Sequence, residues 1–158
     1  MDLTHLHPMI VHFPIALLIV GFLFEIAGAI TKRESFTQTA FYLIILGALG
    51  VIAAFITGDQ AGSGITEEGA LKQALENHED AATLTIWIVS IAAAFRIALV
   101  LLKKFKGVLK MVSLALFLIA VLAIARTGYY GGELVYKHAA GVQLDLGLGV
   151  NSTEAEDD

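Results

Sequence analysis

Histidine is the residue type in this chain with the most distinctive chemistry, and it occurs five times, at His5, His7, His12, His78 and His138. Neutral imidazole is the commonest transition-metal ligand and a standard axial ligand to haem iron. A b-type haem asks for two such rings on opposite faces of one macrocycle, and for no cysteine; the chain contains none. The expected ligands are His12, His78 and His138, with His7 a further candidate and Arg126 placed to meet haem propionates. His7 and His12 are five positions apart, so a regular helix turns them roughly 140° from one another and they do not share one ion. His5 reads more simply as a hydrated interfacial residue. The other histidines, joined by Asp59, Glu79 and Asp80, would equally suit Zn or Cu(II) without any haem, and spacing alone does not choose. No nucleophile–base constellation stands out for a hydrolase, with Ser63 and Thr66 the hydroxyls to weigh.

Residues so far apart in sequence need a scaffold that brings them to one level, and the composition says which. Of 158 residues, 57% are hydrophobic and 16% charged, and mean hydropathy is +0.77. Typical soluble domains are about 45–50% apolar, so this chain belongs in lipid. A net charge of −5 argues against nucleic-acid binding, whose footprint is basic. Absence of cysteine excludes a disulfide framework, a thiolate iron–sulfur cluster and thioether-linked haem.

A helix needs about 20 apolar residues to cross a bilayer core of about 30 Å. Four stretches qualify, at about 9–30, 39–57, 81–102 and 107–129. The expected fold is therefore all-α, one four-helix transmembrane bundle over 1–150, followed by a disordered acidic tail over 151–158. Lys32 and Arg33 lie between the first two helices, and Lys103, Lys104, Lys106 and Lys110 between the last two. The middle connection has Lys72 alone against Asp59, Glu67, Glu68, Glu76, Glu79 and Asp80. Basic short loops stay in the cytoplasm, so both termini, the middle loop and the histidines are expected at the periplasmic side. The first hydrophobic segment lacks the basic n-region of a signal peptide and reads as a retained helix.

Local features refine that picture. Pro8 suits the first turn of a helix, whereas Pro14 would kink one. Either a kinked helix begins at Pro8 or an irregular segment leads to a helix near Pro14, and both place His12 against neighbouring elements. Glu25 lies seven residues before Lys32, and Arg96 lies seven before Lys103. The two intramembrane charges thus reach similar depth near the cytoplasmic side and are expected to pair. Gly47, Gly50, Ala54 and Gly58 give the second helix a surface for close packing within the bundle. A short amphipathic helix is expected at Ala70–Leu75, and Gly131–Gly132 is expected to end or bend the fourth helix. Tyr129, Tyr130 and Tyr136 suit the headgroup zone. Asn151-Ser152-Thr153 matches a glycosylation acceptor, a match common by chance. No internal repeat is read beyond the alternation of hydrophobic segments.

The segments HPMIVHFPIAL, His7 to Leu17, and GGELVYKHAAGV, Gly131 to Val142, resemble the domain-of-unknown-function 2231 family of bacterial multi-pass membrane proteins. The likeness extends to the TGD of Thr57 to Asp59 and to His78. That family often places a glycine after its final histidine, where this chain has Ala139, so a tight turn there would fall to Gly141. The resemblance implies a four-helix inner-membrane protein of haem or redox association, with no established reaction. The reading preferred from the residues is a non-enzymatic module binding haem b or a metal, exchanging electrons with respiratory-chain or periplasmic redox proteins. The competing readings are transition-metal transport and a structural or assembly subunit without cofactor. Oligomeric state is not readable from the sequence.

Overall fold

The computed structural model describes residues 6–62 and 69–140. Four helices make up nearly all of them: α1 (Leu6–Thr31), α2 (Glu34–Gly62), α3 (Gly69–Leu101) and α4 (Gly107–His138). All four are long and apolar enough to cross a membrane. Only 22–33% of the residues in each helix's most apolar window are buried inside the bundle. The remaining apolar surface, including Met9, Phe13, Trp87 and Leu122, is exposed and demands lipid rather than water. The chain is an integral membrane protein.

Each helix outruns the span read from the sequence. At 26–33 residues and about 1.5 Å per residue the helices are about 39–50 Å long, which carries their ends into the headgroup zone. Hydropathy marks where hydrocarbon ends, and a helix need not stop there. Ala70–Leu75 is not a separate surface helix; it forms the first turns of α3, which opens at Gly69 with φ +57°. α2 likewise continues through Gln60 to Gly62. His5, Ser63, Thr66, Asn151-Ser152-Thr153 and the acidic tail lie outside the described residues.

Two expectations about turns are corrected. Gly131–Gly132 does not end α4, because the helix runs on to His138. A glycine costs a helix about 1 kcal/mol relative to alanine, and at Gly131 that cost is offset by the close seat it gives His78. The tight turn does exist, and Ala139 makes it, in the left-handed conformation at φ 49° and ψ 30°. Its N–H bonds to the Val135 carbonyl at 3.1 Å, and the Ala140 N–H bonds to the Leu134 carbonyl at 3.1 Å. This double closure satisfies the last carbonyls of the helix. At the other end of the chain, α1 is helical from Leu6 with Pro14 inside it. Pro14 is buried against Gly50, where a Cβ would come within 3.1 Å of the proline Cβ.

The neighbouring pairs are α1/α2, α3/α4, α2/α3 and α1/α4. α1 and α3 therefore face each other across one diagonal, and α2 and α4 across the other. The core on the axis is built from Leu18, Ile44, Val89, Phe117 and their neighbours.

The two hairpins repeat one another, which inspection of the sequence alone did not reveal. Buried Pro14, Leu18, Gly21, Glu25 and Gly28 of α1 reappear 71 positions later as buried Thr85, Val89, Ala92, Arg96 and Leu99 of α3. Buried Ala40, Ile44, Gly47 and Val51 of α2 reappear, on a single common offset, as Ser113, Phe117, Ala120 and Ile124 of α4. His7 and His78 obey the first offset, as do Lys32 and Lys103, which share a left-handed backbone at φ 57° and 55°. Gly58 and Gly131 obey the second. Such parallel repeats are a familiar plan for membrane bundles. Residue types are mostly not kept, so only position and burial carry the signal.

Candidate histidine site

α1 and α3 both begin at the end of the bundle opposite the Lys32 and Lys103 turns, so an equivalent histidine in each arrives at one level. The rings of His7 and His78 meet edge to face, with centroids 6.4 Å apart and planes at 77°. Each ring leans on the second helix of its own hairpin. A Cβ on Gly58 would stand 2.9 Å from Cε1 of His7, and one on Gly131 would stand 3.2 Å from Cε1 of His78. Glycine allows the close approach of α2 at Gly58, and eases the looser one of α4 at Gly131.

Hydrogen bonds assign the tautomers. His78 Nδ1 lies 3.2 Å from the Thr127 carbonyl. A carbonyl only accepts, so that nitrogen carries the proton. His7 Nδ1 lies 3.2 Å from Thr57 Oγ1. The Thr57 hydroxyl itself donates to the Ala53 and Ala54 carbonyls at 3.0 and 3.1 Å, which leaves it to accept from the ring. In both neutral imidazoles Nε2 then holds the lone pair. An Nδ1–H bonded to a carbonyl or hydroxyl is the outer-shell arrangement that fixes a metal-binding histidine. Thr85 Oγ1 and Thr127 Oγ1 bond at 2.8 Å and tie α3 to α4 about two turns beyond His78 along α3.

The remaining candidates stand apart from this pair. His12 is exposed, and its Nδ1 donates to its own helix at the Pro8 carbonyl, 2.6 Å away. It does not face a neighbouring element, because five residues after the buried flank of His7 the helix has turned it outward. His138 is half-buried in the last turn of α4. It lies seven residues beyond Gly131, so roughly 10 Å further along the axis. Arg126 is exposed beside Thr127 and stacks on Tyr130, with its guanidinium carbon 5.3 Å from the ring centroid. Its depth matches that of the paired histidines. Thr57, Thr127, Gly58 and Gly131 were not singled out as site residues from the sequence. The TGD of Thr57 to Asp59 and the Gly131–Gly132 pair were the available signals.

Among the described residues no three His, Asp or Glu side chains come together as a metal-holding group. Asp59, Glu79 and Asp80 therefore do not complete a set with the histidines. Zinc sites use four protein ligands when structural and three when catalytic. A donor set of two imidazoles suits a centre that brings its own equatorial ligands, as haem does.

At the opposite end of the same diagonal, Arg96 grips Glu25 with both terminal nitrogens, at 2.9 and 3.3 Å. The pair is buried, Arg96 Nη2 also reaches the Thr37 carbonyl at 3.4 Å, and the guanidinium lies 3.3 Å over the Phe105 ring. It neutralises two charges that lipid would not tolerate separately.

A four-helix membrane bundle with two facing histidines at one end and a buried ion pair at the other is the class these observations define. Over residues 4–144 the chain matches the family described as predicted membrane protein, DUF2231, and it belongs to that family. No curated protein and no solved structure matches it.

Proposed function

We propose that His7 and His78 act as one two-imidazole ligand set for the iron of haem b, making the protein a membrane-integral redox module. The facing of these two rings, one from each repeated hairpin, is the observation that carries the reading. The two rings stand at one level of the bundle, their centroids 6.4 Å apart. The tautomers leave the lone pair on Nε2 of both rings, and the donor count matches haem better than Zn or Cu. Haem would supply one-electron chemistry. The protein's part is to hold two neutral imidazoles in fixed orientation through Thr57 and the Thr127 carbonyl, inside an apolar bundle that limits water.

Arg126, exposed at this depth, is the cation available to a propionate. The basic turns at the other end support a reading with the histidine end at the periplasmic face of a bacterial inner membrane. Electron exchange there with respiratory-chain or periplasmic redox proteins completes the reading.

The test is the visible spectrum of the purified protein, oxidised and then reduced with dithionite. A Soret band with a reduced α band is expected. It should be lost in His7→Ala and in His78→Ala and retained in His12→Ala, with helix content unchanged by circular dichroism. A colourless wild-type protein from haem-supplemented cells would overturn the proposal.

A further inference from the structure

We propose that the cleft between the α1–α2 and α3–α4 turns binds the phosphate of an anionic phospholipid. Its volume is about 310 Å³, and Lys32, Arg33, Glu34, Thr37, Phe105 and Lys110 line it. Three cations against one carboxylate leave the cleft positive. None of the three makes an ion pair with a described residue. Lys110 does reach the Phe105 ring, 5.6 Å from its centroid.

Two features of the backbone add to the attraction for an anion. α2 and α4 both start here, and their first turns carry N–H groups without helical partners. The residue before α4, Lys106, makes no side-chain cap bond. Beneath Phe105 lies Arg96, 3% exposed, whose Nε has no hydrogen-bond partner among the described residues. Lys32 adopts a left-handed backbone that glycine or asparagine would take more readily.

The surroundings select a lipid as the source of the phosphate. The cleft sits where the membrane spans end, at headgroup depth. Ile30, Leu102 and Val108 beside it are exposed at 76%, 63% and 78%, offering an apolar flank to acyl chains. Basic pockets between helices at a cytoplasmic surface are suited to anionic headgroups.

The experiment is native mass spectrometry of the full chain in detergent with equal phosphatidylglycerol and phosphatidylcholine. One retained phosphatidylglycerol is expected, at about tenfold the occupancy of phosphatidylcholine. The Lys32→Ser/Arg33→Ser/Lys110→Ser variant should lose that preference. Lys103→Ser/Lys104→Ser removes neighbouring charge outside the cleft, leaves the start of α4 untouched, and should keep it; circular dichroism confirms that both variants are helical. Equal loss in both variants would show diffuse attraction and overturn the assignment. Displacement of the lipid by millimolar inorganic phosphate would assign the cleft to a free anion and overturn it too.

Discussion

His7 and His78 face each other at 6.4 Å across the α1/α3 diagonal, and each is backed by a glycine of its own hairpin, Gly58 or Gly131. Two equivalent side chains that both face the axis relating the hairpins meet near it. That placement makes the pair a property of the architecture rather than of one loop.

The glycine seats are separable from the fold. Gly58→Ala puts a Cβ 2.9 Å from His7, and the ring must move. Overpacking of this kind costs about 1–3 kcal/mol, only partly offset by the gain of about 1 kcal/mol in helix propensity. The contact at Gly131 is looser, at 3.2 Å. Thermal unfolding in detergent should therefore show a clear loss for Gly58→Ala and almost none for Gly131→Ala. Equal losses would count against the tighter seat at His7.

The two anchors of the imidazoles differ chemically. Thr57 holds His7 by its hydroxyl, whereas Thr127 holds His78 by its main-chain carbonyl. Thr57→Val should weaken binding of the centre about 10- to 100-fold, the usual effect of losing an outer-shell partner. Thr127→Val keeps the carbonyl and should change affinity far less. Haem titration of the apoprotein measures both.

Glu25 and Arg96 occupy equivalent positions of the two hairpins, 71 residues apart. Removing one charge strands the other in the core, so Glu25→Ala should cost about 3–5 kcal/mol. Glu25→Leu with Arg96→Leu should recover most of that loss, because neither charge then needs burial. The repeat adds a sharper expectation: the exchange Glu25→Arg with Arg96→Glu should fold, since each position already accommodates the other's partner. Denaturant unfolding checks all three, and failure of the apolar double variant to recover stability would contradict the pairing account.

Ala139 carries a left-handed turn that suits glycine better. Ala139→Gly should stabilise the end of α4 by about 1 kcal/mol. Amide exchange at Ala139 and Ala140, whose N–H groups close the turn, should slow roughly fivefold if closure is tightened by that amount. Unchanged exchange would mean that the turn bears no strain.

Much of the scaffold was legible because lipid imposes a simple rule. A span must be apolar and helical, so four hydrophobic runs meant four helices, and Glu25 and Arg96 could be matched by their equal distance from a basic turn. Helix ends were less legible because hydropathy falls at the headgroup boundary while the helix of α3 is already under way at Gly69. The histidine pair was half legible. Topology placed His7 and His78 at one level, but the rotation of each helix about its axis decides which ring points inward. That rotation follows from packing at Gly58, Gly50 and Gly131, and a hydrophobic segment with almost no polar face does not reveal it. His12 was favoured over His7 for that reason, and the structure turns it outward. The repeat escaped notice because it preserves burial and position while exchanging Glu for Arg and Gly for Leu.

Electron paramagnetic resonance of the oxidised, purified protein tests the two-imidazole site most directly. Wild-type protein should give a low-spin ferric signal, and His7→Ala or His78→Ala should abolish it together with the bound haem, while His12→Ala and His138→Ala leave it intact. A low-spin signal that survives loss of either His7 or His78, or wild-type protein with no haem iron at all, would contradict the account.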